Sequence, residues 1–290
     1  MAAADLTQAE YWNGEAGRRW ASHQATFDGV FGPLTERLFA GADLHPGETV
    51  LDIGCGAGAT TLRAAEAVGP SGRVTAVDVS APLLAATAER VAARPAGGGA
   101  IALVEADAQT HAFARGAFDR VISRFGIMFF DESVAAFTNL HAALRPGGRL
   151  AILCWRTLAE NAWIAHPLDL VRSLVPEPAP TPPDAPGPFR FAEPERLSGI
   201  LAVAGFREIA FTPVDEALVL GRSDSGEARA AAEAAAAFSL DLGPASRLVR
   251  DQPPEIRDQA FARVQADFEA RARDGAVRLA AACWLVTAVR

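Results

Sequence analysis

Three glycines at alternate positions, Gly54, Gly56 and Gly58, follow a short apolar run of Val50, Leu51 and Ile53. Glycine reaches positive φ without steric cost and lets the backbone come close to a ligand. The apolar run reads as a buried parallel strand, and Ala59 to Val68 as a helix whose N-terminus faces the ligand. A nucleotide-type ligand suits such a loop. With Ala59 as a third small residue the same letters also satisfy the dinucleotide pattern, so the loop alone leaves two chemistries open. Asp52 separates them by charge. A carboxylate just ahead of the glycines repels a pyrophosphate and favours a ligand with sulfonium and ammonium groups.

Arg73 to Val79 reads as a second apolar strand that ends in an acid, Asp78. An acid there is placed to accept both ribose hydroxyls of an adenosine. It also suits the helix opened by Ser80-Ala81-Pro82, where a carboxylate near the N-terminus stabilises by about 0.3–1 kcal/mol. Ala100 to Val104 is a third strand, followed by Glu105, Ala106 and Asp107. A fourth, Phe118 to Ser123, runs into the apolar segment Arg124 to Phe130, at the strand edge where open α/β sheets bind ligands. Arg145-Pro146-Gly147-Gly148 then turns into a fifth strand, Arg149 to Cys154.

This ordered set, from Thr49 to Trp155, resembles motif I and the following strand ends of the class I S-adenosylmethionine-dependent methyltransferases. Its flavour is that of the quinone-biosynthesis enzymes and their small-molecule relatives. The resemblance implies an α/β, Rossmann-like seven-stranded sheet with an antiparallel final hairpin, helices on both faces and helical lid insertions. It implies S-adenosylmethionine as cofactor, with Asp107 on the adenine amino group, and O-, N- or C-methylation of a small apolar or aromatic metabolite. The expected cofactor-binding residues are Asp52, Gly54, Cys55, Gly56, Gly58, Asp78, Val79, Asp107, Ala108, Arg124 and Trp20. Phe125, Met128, Phe129 and Trp155 are expected to wall the acceptor. Two alternatives stand beside this reading, a non-catalytic S-adenosylmethionine-binding module and a nicotinamide-dependent oxidoreductase.

Composition narrows the classes further. All 27 basic residues are arginine, which excludes a pyridoxal Schiff-base lysine, a P-loop lysine and a Tyr-Lys dehydrogenase pair. The net charge of −8 argues against nucleic acid as acceptor, because neutralising phosphates needs a basic face. Cys55, Cys154 and Cys283 lack metal spacing and are expected to be buried free thiols, with no metal bound. Without a charged and apolar leader, and with the apolar run Leu279 to Val289 too short to span a bilayer, a soluble cytoplasmic protein without membrane insertion is expected.

Residues 1–290 are read as a single methyltransferase domain. Residues 1–40, with Tyr11, Trp12, Trp20, Phe27 and Phe31 at loosely helical spacing, form one or two cap helices over the sheet edge, and 41–155 form the cofactor-binding core. The stretches 156–192 and 222–275 exceed the minimal fold. They are assigned to acceptor recognition, with a homodimer interface as the other use. Residues 176 to 188 hold seven prolines and read as a stiff excursion. Helices are expected over 193–204, 224–237 and 256–272, and strands from 206 to 220 and 276 to 289, the last two pairing as a hairpin. A sulfonium is already an activated leaving group, so methyl transfer needs placement and dryness, and a base only for a poor nucleophile. His23 and His166 are the candidate general bases. His45 belongs to a turn, His141 lies on the helix after strand four, and His111 follows Asp107 in a loop.

Overall fold

The computed structural model describes residues 6–176 and 185–290. Its seven strands form one sheet in the order β3-β2-β1-β4-β5-β7-β6. They are β1 (Thr49–Ile53), β2 (Arg73–Asp78), β3 (Ala100–Glu105), β4 (Phe118–Arg124), β5 (Leu144–Trp155), β6 (Arg207–Arg222) and β7 (Ala276–Val289). The pairs from β3 to β5 are parallel, while β7 runs antiparallel to both β5 and β6. Strands covered on both faces need mostly apolar runs, and β1 supplies Val50, Leu51 and Ile53 around the buried Asp52; alternation suffices for β6, whose inward Val214, Leu218 and Leu220 are buried. The strand order reverses between β1 and β4, which opens a crevice at their carboxyl ends.

Helices fill the crossovers at nearly the expected bounds. α4 (Ala59–Val68) starts at Gly58 and stops at Gly69, and α5 (Ala81–Ala93) is capped by Ser80, whose hydroxyl accepts from the Leu83 amide. α6 (Ser133–Ala143) and α8 (Pro194–Val203) pack on each other. Two expectations are corrected. β5 begins at Leu144, so that Arg145 to Gly148 lies inside the strand as a ladder irregularity opposite Phe118 and Arg120. The N-terminal region is three helices, α1 (Gln8–Asn13), α2 (Glu15–Ser22) and α3 (Gln24–Ala42), and α3 lies over the edge strand β6 and extends inward across β7, β5 and β4. Its length explains this: Phe27, Val30, Phe31, Leu34 and Leu38 form an apolar stripe that only a sheet face can cover.

The second insertion is mostly packing. In α9 (Ala228–Ala237) the alanines 231, 232, 235 and 236 are fully buried, and a Cβ on Gly221 of β6 would lie 2.3 Å from the Ala231 carbonyl. Small residues on both sides let helix and strand backbones touch. α11 (Pro254–Arg271) packs on α9 and on α7 (Ala162–Arg172). Between α9 and α11 a π-helical turn (Phe238–Leu242) and the short α10 (Ser246–Val249) lead the chain back over the crevice. Most of the proline-rich excursion, 177–184, lies outside the described residues.

Candidate functional site

A cavity of about 250 Å³ opens at the carboxyl ends of β1, β2 and β4, beneath α1 and α2. The turn after β1 forms its floor. Gly54 (φ 63°) sits so close to the β4 side that a Cβ would lie 2.7 Å from the Gly126 Cα, and its amide donates to the Val77 carbonyl at 2.8 Å. Gly56 (φ 57°) faces open space, where a Cβ would meet nothing within 4 Å. The first glycine thus closes the loop on the sheet, and the second leaves bare backbone toward a ligand.

Asp78 ends β2 at the rim of this space. One carboxylate oxygen accepts from the Gly56 amide at 2.8 Å and the other from Ser80 at 2.9 Å. Burial raises its carboxyl above the usual range, against the amides of Gly56, Ser80 and Val79, which hold it down. Loop and acid are therefore one hydrogen-bonded unit, with the rest of the carboxylate lining the cavity. Asp107, after β3, also lines the cavity and accepts from the Gln109 amide at 2.8 Å.

Asp52 sits one layer lower. Its side chain is fully buried and does not line the cavity; Oδ2 accepts the Thr60 and Thr61 hydroxyls, each at 2.7 Å, and Oδ1 has no partner. Burial pushes its carboxyl up to about 6, opposed by those hydroxyls and by Arg124. The sequence places Asp52 on the ligand; the fold makes it the anchor of α4 under the loop. Cys55 turns toward Ala76 and Leu84, and Gly58 packs on Thr87, so neither lines the main cavity. All three cysteines are free and buried.

Aromatic rings enclose the rest. Phe125 stacks on Trp155 at 3.9 Å between centroids, and Phe129 meets Trp12 edge to face at 5.5 Å. Trp20 stacks on Phe27 at 3.9 Å. Phe125 holds φ 66°, a left-handed conformation costing of order 1–3 kcal/mol for a non-glycine residue, and such strain concentrates at binding sites. Met128 and Arg124 line the same space, the arginine donating to the Thr35 hydroxyl while burial lowers its guanidinium below its ordinary value.

Of the expected cofactor residues, Gly54, Gly56, Asp78, Val79, Asp107, Ala108, Arg124 and Trp20 line one cavity, and so do all four expected acceptor residues. The candidate bases do not. His23 is exposed at the end of α2, its Nδ1 against the Arg19 carbonyl and the Ser22 hydroxyl at 3.0 Å. His166 lies on α7 with Nε2 2.6 Å from Asp267, which also bonds Arg271. A helix-end turn and an interhelical contact with a carboxylate have absorbed the two rings.

Sequence reasoning missed the residues that hold the cap down. Asn13 donates to the Val79 carbonyl at 2.7 Å and accepts from the Ala81 amide, and the Ser80 hydroxyl donates to the Trp12 carbonyl at 2.7 Å. Arg90 ties the Ala57 carbonyl to Asp28 of α3. These contacts join chain segments that no local spacing relates. Arg247 and Arg250, from the α10 segment, also reach the cavity.

Residues 50–148 match a family model described as a methyltransferase domain. Nocamycin O-methyltransferase of Saccharothrix syringae is 34% identical over 197 residues, covering 64% of this chain and 69% of that protein. A ubiquinone/menaquinone biosynthesis C-methyltransferase of Rhizobium johnstonii is 26% identical, covering 66% of this chain and 74% of its own. Among solved structures, phosphoethanolamine N-methyltransferase 2 of Haemonchus contortus in complex with S-adenosylmethionine covers 99% of this chain and 60% of its own, with TM-score 0.57 and 17% identity.

Proposed function

The chain belongs to the class I S-adenosylmethionine-dependent methyltransferases, and from that premise we propose that it methylates a small, planar or hydrophobic acceptor held against Phe125, Phe129 and Trp155. One observation carries this reading. The glycine loop and the aromatic wall line the same cavity, so cofactor and acceptor share one largely apolar space.

The cofactor supplies an activated methyl group on a sulfonium. Gly56 would offer it bare backbone, Asp78 the ribose contact and Asp107 the adenine contact, with Trp20 above and the negative field of Asp52 beneath. The residues present fit the ligand. The acceptor is oriented by the Phe125–Trp155 stack, and Trp12 and Phe129 close over it and exclude water. Among the described residues no histidine lines the cavity, and alignment and desolvation are the contributions that its geometry supports.

The names of the relatives, nocamycin O-methyltransferase and ubiquinone/menaquinone C-methyltransferase, support a metabolite as acceptor, and the net charge of −8 gives no support to nucleic acid. Acceptor recognition falls to the link between α9 and α11 and to Trp163 and Ile164 of α7, while the helices α9 and α11 themselves serve the core. No helix among the described residues is long and apolar enough to cross a membrane.

A screen of small-molecule pools with methyl-labelled cofactor, read by mass spectrometry, tests the proposal. Label in small, partly aromatic or isoprenoid-like products is expected. Label confined to macromolecules would overturn the acceptor assignment, and calorimetry with NAD binding more tightly than S-adenosylhomocysteine would overturn the cofactor site.

A further inference from the structure

Four arginines line the cavity of a chain that is acidic as a whole: Arg124, Arg19 of α2, and Arg247 and Arg250, one helical turn apart in the α10 segment. Arg19 is engaged, its guanidinium bonding Glu15 and the Asp241 carbonyl. Arg247 has no carboxylate within ion-pair reach among the described residues, and its guanidinium lies over the Tyr11 ring at 5.2 Å. Arg250 makes one long bond to the Ser246 hydroxyl, at 3.4 Å, and its Nε is buried with no partner.

Arg247 is exposed and keeps its hydration, whereas Arg250 is half-buried and leaves its Nε unpaired, where buried N–H groups in folded proteins are nearly always paired. Asp131 and Asp241 line the same cavity, yet neither pairs with Arg247 or Arg250. A ligand bearing a planar anion completes the geometry, because the guanidinium fork matches a carboxylate or an enolate oxygen pair. Stacking on Tyr11 holds Arg247 in place for it.

We propose that the acceptor carries an anionic group, and that Arg247 and Arg250 form the subsite that binds it while the hydrophobic body lies on the Phe125–Trp155 wall. This rests on the methyltransferase reading of the cavity and adds the charge of the substrate. It also gives the 222–275 insertion a defined part in specificity, through one short segment.

The test uses 2-naphthoate as a planar anionic probe and 2-naphthamide as its neutral twin, titrated by calorimetry into the full chain saturated with S-adenosylhomocysteine. The acid should bind about tenfold or more tightly than the amide. Arg250→Gln should bring the two to within about threefold, Arg247→Gln should do so in part, and both variants should bind S-adenosylhomocysteine as the parent does, which reports an intact fold. Equal binding of acid and amide to the parent, no measurable binding of either, or an undiminished preference in Arg250→Gln would overturn the subsite. Failure of the parent to bind S-adenosylhomocysteine would instead overturn the reading of the cavity on which it rests.

Discussion

The two ends of the cavity are built in different ways. At the proposed cofactor end the lining groups sit on successive strand tips: Gly54 and Gly56 after β1, Asp78 at the end of β2, Asp107 after β3, each held by hydrogen bonds in which backbone amides take part. At the acceptor end they are side chains from α1, α2, the Arg124–Phe130 segment, Trp155, α7 and the α10 segment, converging from across the chain. Backbone-mediated recognition is rigid and tolerates little change. Recognition by convergent side chains lets the substrate change while the cofactor site stays.

That contrast implies a graded set of outcomes. The largest loss should come from Gly54→Ala. The new methyl group would sit 2.7 Å from the Gly126 Cα at φ 63°, and the strained dihedral and backbone clash together should cost about 3 kcal/mol or more, read as lost S-adenosylhomocysteine binding in calorimetry. Retained affinity would mean the floor is softer than drawn.

Asp52 should reveal itself through pH. With its folded carboxyl raised to about 6 from an ordinary 3.8, the native state holds the proton more tightly than the unfolded chain. Its contribution to stability is therefore full below about pH 4 and is lost as pH rises through 6, leaving a penalty of about 2–3 kcal/mol for the buried anion at pH 8. Asp78 shifts in the same direction, so the comparison is with Asp52→Asn. Urea unfolding of that variant should show a smaller stability loss between pH 5 and 8 than the parent; identical pH slopes would remove the buried-anion account.

Asp78→Ala should weaken S-adenosylhomocysteine by about 1.5–3 kcal/mol, the worth of hydrogen bonds to a charged group, with the fold retained by circular dichroism. Across the cavity, Phe129→Asp should reduce turnover of the identified acceptor about tenfold while cofactor affinity stays within about twofold, since it removes apolar wall and leaves the strand tips alone. An equal loss of both would mean that the two ends are not separable. The smallest effects belong to the histidines. His23→Gln and His166→Gln should each leave turnover within about twofold, and the loss of the partly exposed Asp267 pair should cost at most about 1 kcal/mol in thermal unfolding.

Much of the fold follows from local pattern alone. Alternating strand and helix signals, with Gly69, Pro95 and the Gly97–Gly99 stretch as punctuation, place β1 to β4 within a residue or two and require a parallel sheet. Parallel topology then brings every strand's carboxyl end to one edge, which is why Gly54, Gly56, Asp78, Asp107 and Phe125 could be assigned to a common site from spacing. The final hairpin was legible as well, because two apolar strand runs flank the helical insertion and the family resemblance implies that they pair antiparallel.

Side-chain direction is another matter, since it depends on what packs around each residue. Asp52 stands next to the glycines in sequence, yet alternation along β1 turns it under the loop to Thr60 and Thr61, away from the ligand. His166 and Asp267 meet only because α7 and α11 pack together, and the meeting removes the histidine from the chemistry. Asn13 holds the cap to the end of β2, and Arg247 and Arg250 come to the acceptor end because α9, pressed against Gly221, sends the next turn back over the crevice. The sequence alone determined the backbone scaffold and the cofactor edge, where neighbours along the chain are neighbours in space. The acceptor pocket was decided by tertiary packing, because its residues have no common local pattern and acquire their directions only when the helices close on the sheet.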